Sequence, residues 1–284
     1  MDRARIAVRS VIDRDHRAAD RVGRDARLDI VFEERAGRTV IAREYAEPPF
    51  RVGRVFLQDD GGAHLIVASS APGIFGGDAL QQSVRVGPGA RVRLTSQSAL
   101  QIHPSGDGRT ASLSSRYVVD AGAHLWCEWD PNIPFGGARL DQRISIDVGD
   151  GATLFWSDAV MGGREARGER WQFASLGHEL RLTRDTSLIY LERYTLDPRH
   201  EAVGGPWTAA SASYFGTVLS VGPAMSGDFA RTLFERLAAC ADVQASVDAI
   251  EDGIVLVRLM ARSGPAFHAA RALVATAVQD LMVR

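Results

Sequence analysis

The 284-residue chain contains no lysine; all 33 of its fixed cationic side chains are arginine. That absence excludes the Walker-type phosphate loop, whose lysine reaches the phosphates, and any Schiff-base or lysine-base chemistry. A G+C-rich coding sequence accounts for the bias, and the exclusions hold whatever its origin. Only two cysteines are present, Cys127 and Cys240, too few for a disulfide framework. No apolar stretch approaches eighteen residues, and the charge-rich first twenty hold no apolar core of signal-peptide length. Arginine at 33 against 35 acidic residues leaves a net charge of −2, so no excess of either sign points to nucleic acid or an anionic membrane. The seven histidines (16, 64, 103, 124, 178, 200 and 268) form no H-x-H, H-E-x-x-H or H-x-x-x-H pattern, and the cysteines no C-x-x-C. A zinc site built from a local motif is therefore not expected. Gly87-Pro88-Gly89 lacks the third glycine of a dinucleotide fingerprint, and no G-x-S-x-G elbow occurs. These absences predict a soluble cytoplasmic protein without an enzyme's usual signatures.

At 45% hydrophobic and 24% charged, the composition is that of an ordinary globular protein. Up to about Tyr194 the chain reads as strands. Arg27–Phe32, Val84–Val86, Arg91–Leu94 and Arg143–Val148 alternate with a period near two between Gly, Pro and Asp turns. A pattern Gly-Ala-x-Leu/Val recurs at Gly62, Gly89, Gly122 and Gly151, at intervals of 27, 33 and 29 residues, with a degenerate copy at Asp185-Thr186-Ser187-Leu188. Each glycine is expected at a positive-φ turn, with the small alanine packed beside it. The repeat predicts hairpin units stacked side by side in an elongated, layered, solenoid-like β-fold.

After Gly205-Pro206 the pattern changes. Asp228–Ala241 reads as a helix, with Phe229, Leu233, Leu237 and Cys240 on one face. Gln244–Asp248 and Ile254–Met260 form a hairpin around Glu251-Asp252-Gly253, and Pro265–Val283 a closing helix. The expected organisation is an N-terminal arm over residues 1–24 (a candidate disordered segment), a stacked β body over 25–204, and an α+β part over 205–284 packed on the body.

Four segments carry a resemblance: Ala71-Pro72-Gly73-Ile74-Phe75-Gly76-Gly77-Asp78, Leu94-Thr95-Ser96-Gln97, Asp130-Pro131-Asn132-Ile133-Pro134-Phe135-Gly136-Gly137-Ala138-Arg139-Leu140 and Gly163-Arg164-Glu165-Ala166-Arg167-Gly168-Glu169. In this order and spacing the chain resembles the urease accessory protein family UreD, called UreH in some organisms, from about residue 25 to the C-terminus. The resemblance implies an elongated, mostly β fold with two helices. It also implies a non-catalytic chaperone for nickel insertion, bound to apo-urease with a helical UreF-type partner and a UreG-type GTPase. No tightly held cofactor is implied, only Ni²⁺ in transit through a polar internal tunnel. The chain departs from the family at Gln101 and His103, where lysine and tyrosine are usual, and at Gly162, usually leucine.

Ni²⁺ accepts imidazole, carboxylate and water, and a passage must hold it weakly, which suits scattered carboxylates. Asp78, Asp158 and Glu192 fall where the family carries acids and are the first candidates; Glu169 and His103 are weaker ones. The repeat offers a second rationale. Ser70, Gln97, Asp130, Asp158 and Glu192 follow the repeat turns by six to eight residues, and stacked units would align them as a polar ladder along one edge.

Structural roles compete with these assignments. Asp78 suits a turn cap, and Asp158 and Glu192 suit ion pairs with Arg164 or Arg193. Glu169 lies among Arg164, Arg167 and Arg170, and His103 reads as a solvated loop residue. Thr95 and Gln97 suit backbone contacts at a strand end. Trp126, Trp129, Phe135 and Phe155 read as core, or in part as a docking patch. The alternative function is a stacked-β enzyme acting on a polysaccharide, with Asp130 and Asp158 as acid and base; a groove lined by aromatics with carboxyls about 5–10 Å apart would favour it.

Overall fold

A computed structural model describes residues 23–200, 203 and 211–282. The arm expected over 1–24 lies outside them up to residue 22, as does the Gly205-Pro206 boundary.

In chain order the strands are β1 (Asp25–Arg35), β2 (Arg38–Ala46), β3 (Phe50–Val52), β4 (Phe56–Leu57), β5 (Ala63–Ser69), β6 (Ile74–Phe75) and β7 (Ala79–Val86). They continue as β8 (Arg91–Ser96), β9 (Leu100–His103), β10 (Ala111–Val119), β11 (His124–Glu128), β12 (Asn132–Pro134), β13 (Arg139–Val148) and β14 (Thr153–Met161). β15 (Ser175–Arg184), β16 (Ser187–Leu196) and β17 (Tyr214–Val221) follow, then helix α1 (Gly227–Ala238), β18 (Val243–Glu251), β19 (Ile254–Ala261) and helix α2 (Gly264–Met282).

Two sheets form the layers. Sheet A runs β16-β15-β13-β10-β7-β1-β2, and sheet B runs β18-β19-β17-β14-β11-β8-β5-β3. From β7 to β15 the chain alternates between the sheets, so each repeat leaves one strand in each. A strand therefore pairs with its counterpart in the next repeat, parallel and in register: Val86 with Val119, Val119 with Val148, Leu94 with Cys127, Cys127 with Trp156. The strand-rich stacked fold is as the sequence predicts, but the unit is a coil rather than a hairpin.

The Gly-Ala turns explain this. At Gly89, Gly122 and Gly151 the backbone takes φ of +70°, +66° and +62°. The following alanine amides of Ala90 and Ala123 close a tight turn onto Gly87 and Asp120, each at 3.0 Å. Each turn carries the chain out of sheet A and into sheet B, with the alanine methyl buried between. Gly62 departs from the pattern: the positive φ there belongs to Gly61, at +81°. The fifth copy departs more usefully. Asp185 and Thr186 both have positive φ and fold β15 and β16 into an antiparallel hairpin, which ends the coil on sheet A. At Gly151 a Cβ would meet nothing within 4 Å. Gly151→Ala should therefore cost only the backbone term, about 1–2 kcal/mol, read as a few degrees of Tm; a much larger loss would mean the turn is constrained by more than φ.

Alternation along the strands turns Leu28, Ile30 and Phe32, with Val84, Tyr117, Ile146 and Leu180, onto the face shared with Leu65, Leu94, Cys127 and Trp156. Sheet B then continues in antiparallel fashion through β17 and β19 to the edge strand β18. The sequence pattern missed β17; it anticipated β18, β19 and both helices. Ser226 caps α1 by accepting from the Phe229 amide at 3.2 Å. Leu233 and Leu237 bury, whereas Cys240 lies beyond the helix end and is half-buried. Both helices belong to a second core, which includes Phe155, Val218, Val255, Val257 and Phe267, on the opposite face of sheet B. Among the described residues no helix is long and apolar enough to cross a membrane.

Candidate functional site

Between the sheets one band of the interior is polar. In sheet B, Asp158, Thr217 and Arg258 are directly paired neighbours on β14, β17 and β19, so their side chains share one face. The next row inward is Trp156, Leu219 and Leu256, all buried. Sheet A answers with His178 on β15 and Tyr190, Glu192 and Tyr194 on β16. Thr217 Oγ1 donates to Glu192 Oε2 at 3.4 Å, Arg258 Nε to Glu192 Oε1 at 3.2 Å, and Arg258 Nη2 to Tyr190 Oη at 2.9 Å.

Two cavities meet in this band. One, of about 320 Å³, is lined by Gln82, Tyr117, Asn132, Gln142 and Trp156 among others. There Gln82 Nε2 donates to Tyr117 Oη at 2.8 Å and Asn132 Nδ2 to Gln142 Oε1 at 2.9 Å. The other, of about 550 Å³, is lined by His178, Glu192, Tyr194, Thr217, Gln244, Ser246 and Arg258. Asp158 lines both. Burial pushes its carboxyl above the usual range; facing His178 opposes that shift, and Glu192 adds to it. Burial likewise holds the Tyr190 and Tyr194 hydroxyls neutral, well above their ordinary range.

The remaining sequence candidates lie elsewhere. Asp78 caps a turn: its carboxylate accepts from the amides of Arg24 at 2.8 Å and Phe75 at 2.9 Å. It lines neither cavity. Glu169 is clamped by Arg164, at 2.7 and 2.5 Å, and accepts from the Gly136 amide at 3.2 Å. The Arg164 guanidinium lies over the Phe135 ring at 3.8 Å. His103 belongs to strand β9 rather than to a solvated loop, stacked on Phe75 at 4.4 Å and edge-on to Phe135 at 4.6 Å. Three of the four motif segments thus converge through Phe75, His103, Phe135, Arg164 and Glu169.

Two glycines of the convergence have no room for a side chain. A Cβ on Gly163 would lie 2.1 Å from the Glu169 carbonyl oxygen, and one on Gly76 2.5 Å from that of Arg109. Gly77 takes φ of +93°, and Gly168 takes φ of +73° and closes the short turn after Arg164. Pro131 is buried ahead of β12, and Arg139 Nη1 reaches Ser175 Oγ at 3.4 Å. Of the second motif, Thr95 meets His64 Nε2 at 3.0 Å, whereas Gln97 lines the smaller cavity and its amide bonds to Val67. Trp126 stacks on buried Phe155 at 3.9 Å, and Trp129 is partly buried.

The ion pairs differ from those expected. Glu192 pairs with Arg258, Arg193 with Glu179 and Arg164 with Glu169. Among the described residues no arginine pairs with Asp158. Nor is there one ladder: Glu192 reaches the band from sheet A, bonded to Thr217 and Arg258 on the next two strands from the one that carries Asp158. Asp130 directs its carboxylate toward Arg271 of α2, at 3.8 Å. Sequence reasoning missed His178, Tyr194, Thr217 and Arg258; their residue types are common on strands, and only strand pairing places them together.

The UreD family, described as UreD urease accessory protein, matches residues 24–283. The chain belongs to the UreD family. Similar relatives include the urease accessory protein UreD of Ralstonia nicotianae, 31% identical over 84% of this chain and 83% of its own length. The UreD of Lysinibacillus sphaericus is 28% identical over 85% and 91% respectively. The UreH of Helicobacter pylori is 32% identical over 57% of this chain and 61% of its own. In this UreD-family chain the convergent stack joins motif segments, whereas the polar band lies where the coils end, between the β15–β16 hairpin and β14, β17 and β19, with Arg258 exposed at its edge.

Arg164, then the Gly136 amide, holds the Glu169 carboxyl below its ordinary range. A carboxyl depressed in the fold stabilises above its unfolded pKa, about 4.3, and that contribution is lost as pH falls through the folded value. Thermal melts of Glu169→Gln should therefore lose less stability than the parent on acidification below about pH 5. Parallel curves would remove Glu169 from the clamp's energetics.

Proposed function

We propose that this chain is a non-catalytic urease maturation scaffold that passes Ni²⁺ along its polar interior toward apo-urease. It works in the cytoplasm with a helical UreF-type partner and a UreG-type GTPase, which supplies nucleotide hydrolysis. Family membership supports the urease role, and the chain's lack of lysine fits a division of labour in which phosphate is handled elsewhere. The observation that supports the transit reading is Asp158: a buried carboxyl without an arginine partner among the described residues, lining two adjoining cavities. Carboxylates that no closed site organises bind a borderline cation loosely enough to release it. Among the described residues no group of three or more His, Cys, Asp or Glu side chains is placed to hold a metal ion. Asp130 and Asp158 both line the smaller cavity, but the Asp130 carboxylate turns to Arg271, so the polysaccharide-hydrolase reading is the weaker one.

The test is co-expression of the urease structural genes with the full accessory set, with and without this chain. Omission should abolish nickel-loaded, active urease at normal nickel concentration. Unchanged activity would end the reading.

A further inference from the structure

Phe75 is 42% exposed, although its ring stacks on His103 at 4.4 Å. It heads a continuous row, in which His103 meets Phe135 edge-on and the Arg164 guanidinium covers the Phe135 ring. The row adjoins the Gly136-Gly137 turn, whose first amide donates to Glu169. Three further arginines gather there. Arg167 is exposed in the short turn between Arg164 and Glu169. Arg199, also exposed, brings Nη2 to 3.9 Å from where a Cβ on Gly137 would lie, and Pro104, next to His103, lies at 3.7 Å from the same point. Arg139 begins β13 two residues after Gly137 and reaches only Ser175 Oγ. Among the described residues none of these three pairs with a carboxylate. The nearby acids are already engaged: Glu169 by Arg164, Glu165 by Arg170 and Asp197 by His200. An exposed aromatic ring thus sits beside unneutralised positive charge, on a chain whose net charge is −2.

The surface is also held in shape before anything binds. Gly76 and Gly163 pack too closely against backbone to shift, and Glu169 fixes Arg164 through two hydrogen bonds. A surface fixed in this way binds with little ordering cost. Aromatic residues and arginine are the types enriched at the centres of protein interfaces, and arginines without acids of their own are complemented by a partner's carboxylates. We propose that the face formed by Phe75 and the arginines around the Gly136-Gly137 turn is a docking surface for an acidic segment of a partner protein. An apolar side chain of that segment packs on Phe75, and its carboxylates meet Arg139, Arg167 and Arg199. A free phosphate would make no use of the exposed ring, whereas a protein segment uses both the ring and the charges. The surface stands on this geometry alone; only the choice of partners for its test rests on the scaffold reading above.

The test co-expresses the full chain with the urease structural genes and the other accessory proteins and measures what co-purifies. The double variant Arg167→Glu/Arg199→Glu reverses two exposed charges, and Phe75→Ala removes the ring; thermal melts of both check that the fold is kept. Arg236→Glu, at an exposed position on α1, makes the same kind of charge change elsewhere. Bound partner should fall about tenfold in the double variant and in Phe75→Ala. Binding by the parent should weaken as NaCl rises, and Arg236→Glu should behave as the parent. Undiminished co-purification in both patch variants overturns the docking surface. An equal loss in Arg236→Glu also overturns it, since net charge alone would then explain the result. Displacement of the partner by inorganic phosphate, but not by NaCl at equal ionic strength, makes the patch an oxyanion site and overturns the acidic segment. Urease activation that does not need this chain ends the scaffold reading instead, and co-purification that still depends on Phe75 and the arginines keeps the surface.

Discussion

Trp156→Ala should cost about 3–5 kcal/mol, which approaches the whole stability of many domains at about 5–15 kcal/mol. Trp156 is 1% exposed and sits between the sheets, edge-on to Tyr117 at 4.8 Å, with Leu219 and Leu256 beside it in the same row. Tyr117 belongs to sheet A and Trp156 to sheet B, so the contact joins the two layers. Among the described residues the indole Nε1 has no hydrogen-bond partner, so packing holds the ring. Trp156→Phe should accordingly lose much less, since it keeps an aromatic face and removes an unsatisfied donor. Thermal melts check both: about 2–4 °C per kcal/mol for a chain of this size puts the alanine variant roughly 6–20 °C below the parent. A fall of only a degree or two would show that the neighbouring cavity collapses into the space and that the layers are held elsewhere.

The contrast between that core and the polar band explains what the sequence could disclose. The coil turns were legible because Gly89-Ala90, Gly122-Ala123 and Gly151-Ala152 are local signals, needing only positive φ and a small buried neighbour. Their consequence was not local. Nothing in a Gly-Ala turn says whether the next strand returns to the same sheet or crosses to another, and hairpin units were expected where coils exist. β17 was missed because β14 and β19 flank it on both sides, so it lies inside sheet B. Its run Thr217–Val221 is buried throughout and shows no alternation to read.

Asp158 and Glu192 were candidates through family position and repeat spacing, yet the physical reason for their nearness is different. β16 folds back on β15 and brings Glu192 to face Thr217 and Arg258, neighbours of Asp158 in sheet B. His178 carried no signal at all. A histidine on a strand becomes notable only when register shows which face it takes and what it meets there.

Asp158→Asn should raise thermal stability at neutral pH while lowering urease activation on the order of tenfold at limiting nickel. The stability half follows from the raised carboxyl of Asp158, which burial disfavours in its charged form. A group whose pKa is higher folded than unfolded adds stability below its unfolded value, about 3.9, and loses it as pH rises through the folded one. Above the unfolded value the parent therefore bears the cost of burying an ionisable carboxyl, which the asparagine variant lacks. The gain in Tm should shrink on acidification and vanish below about pH 4, where both side chains are neutral. The activation half follows from losing an anionic oxygen where the two cavities meet, with the fold intact. Glu192→Ala provides the comparison. It leaves Arg258 without its carboxylate, so it should lower activation and stability together, and co-purification should show the assembly retained in both variants. If Asp158→Asn destabilised the chain at neutral pH with activation unchanged, the carboxylate would be a structural anchor. A more stable chain that activates urease less well is the signature of an acid kept in the interior for what passes it.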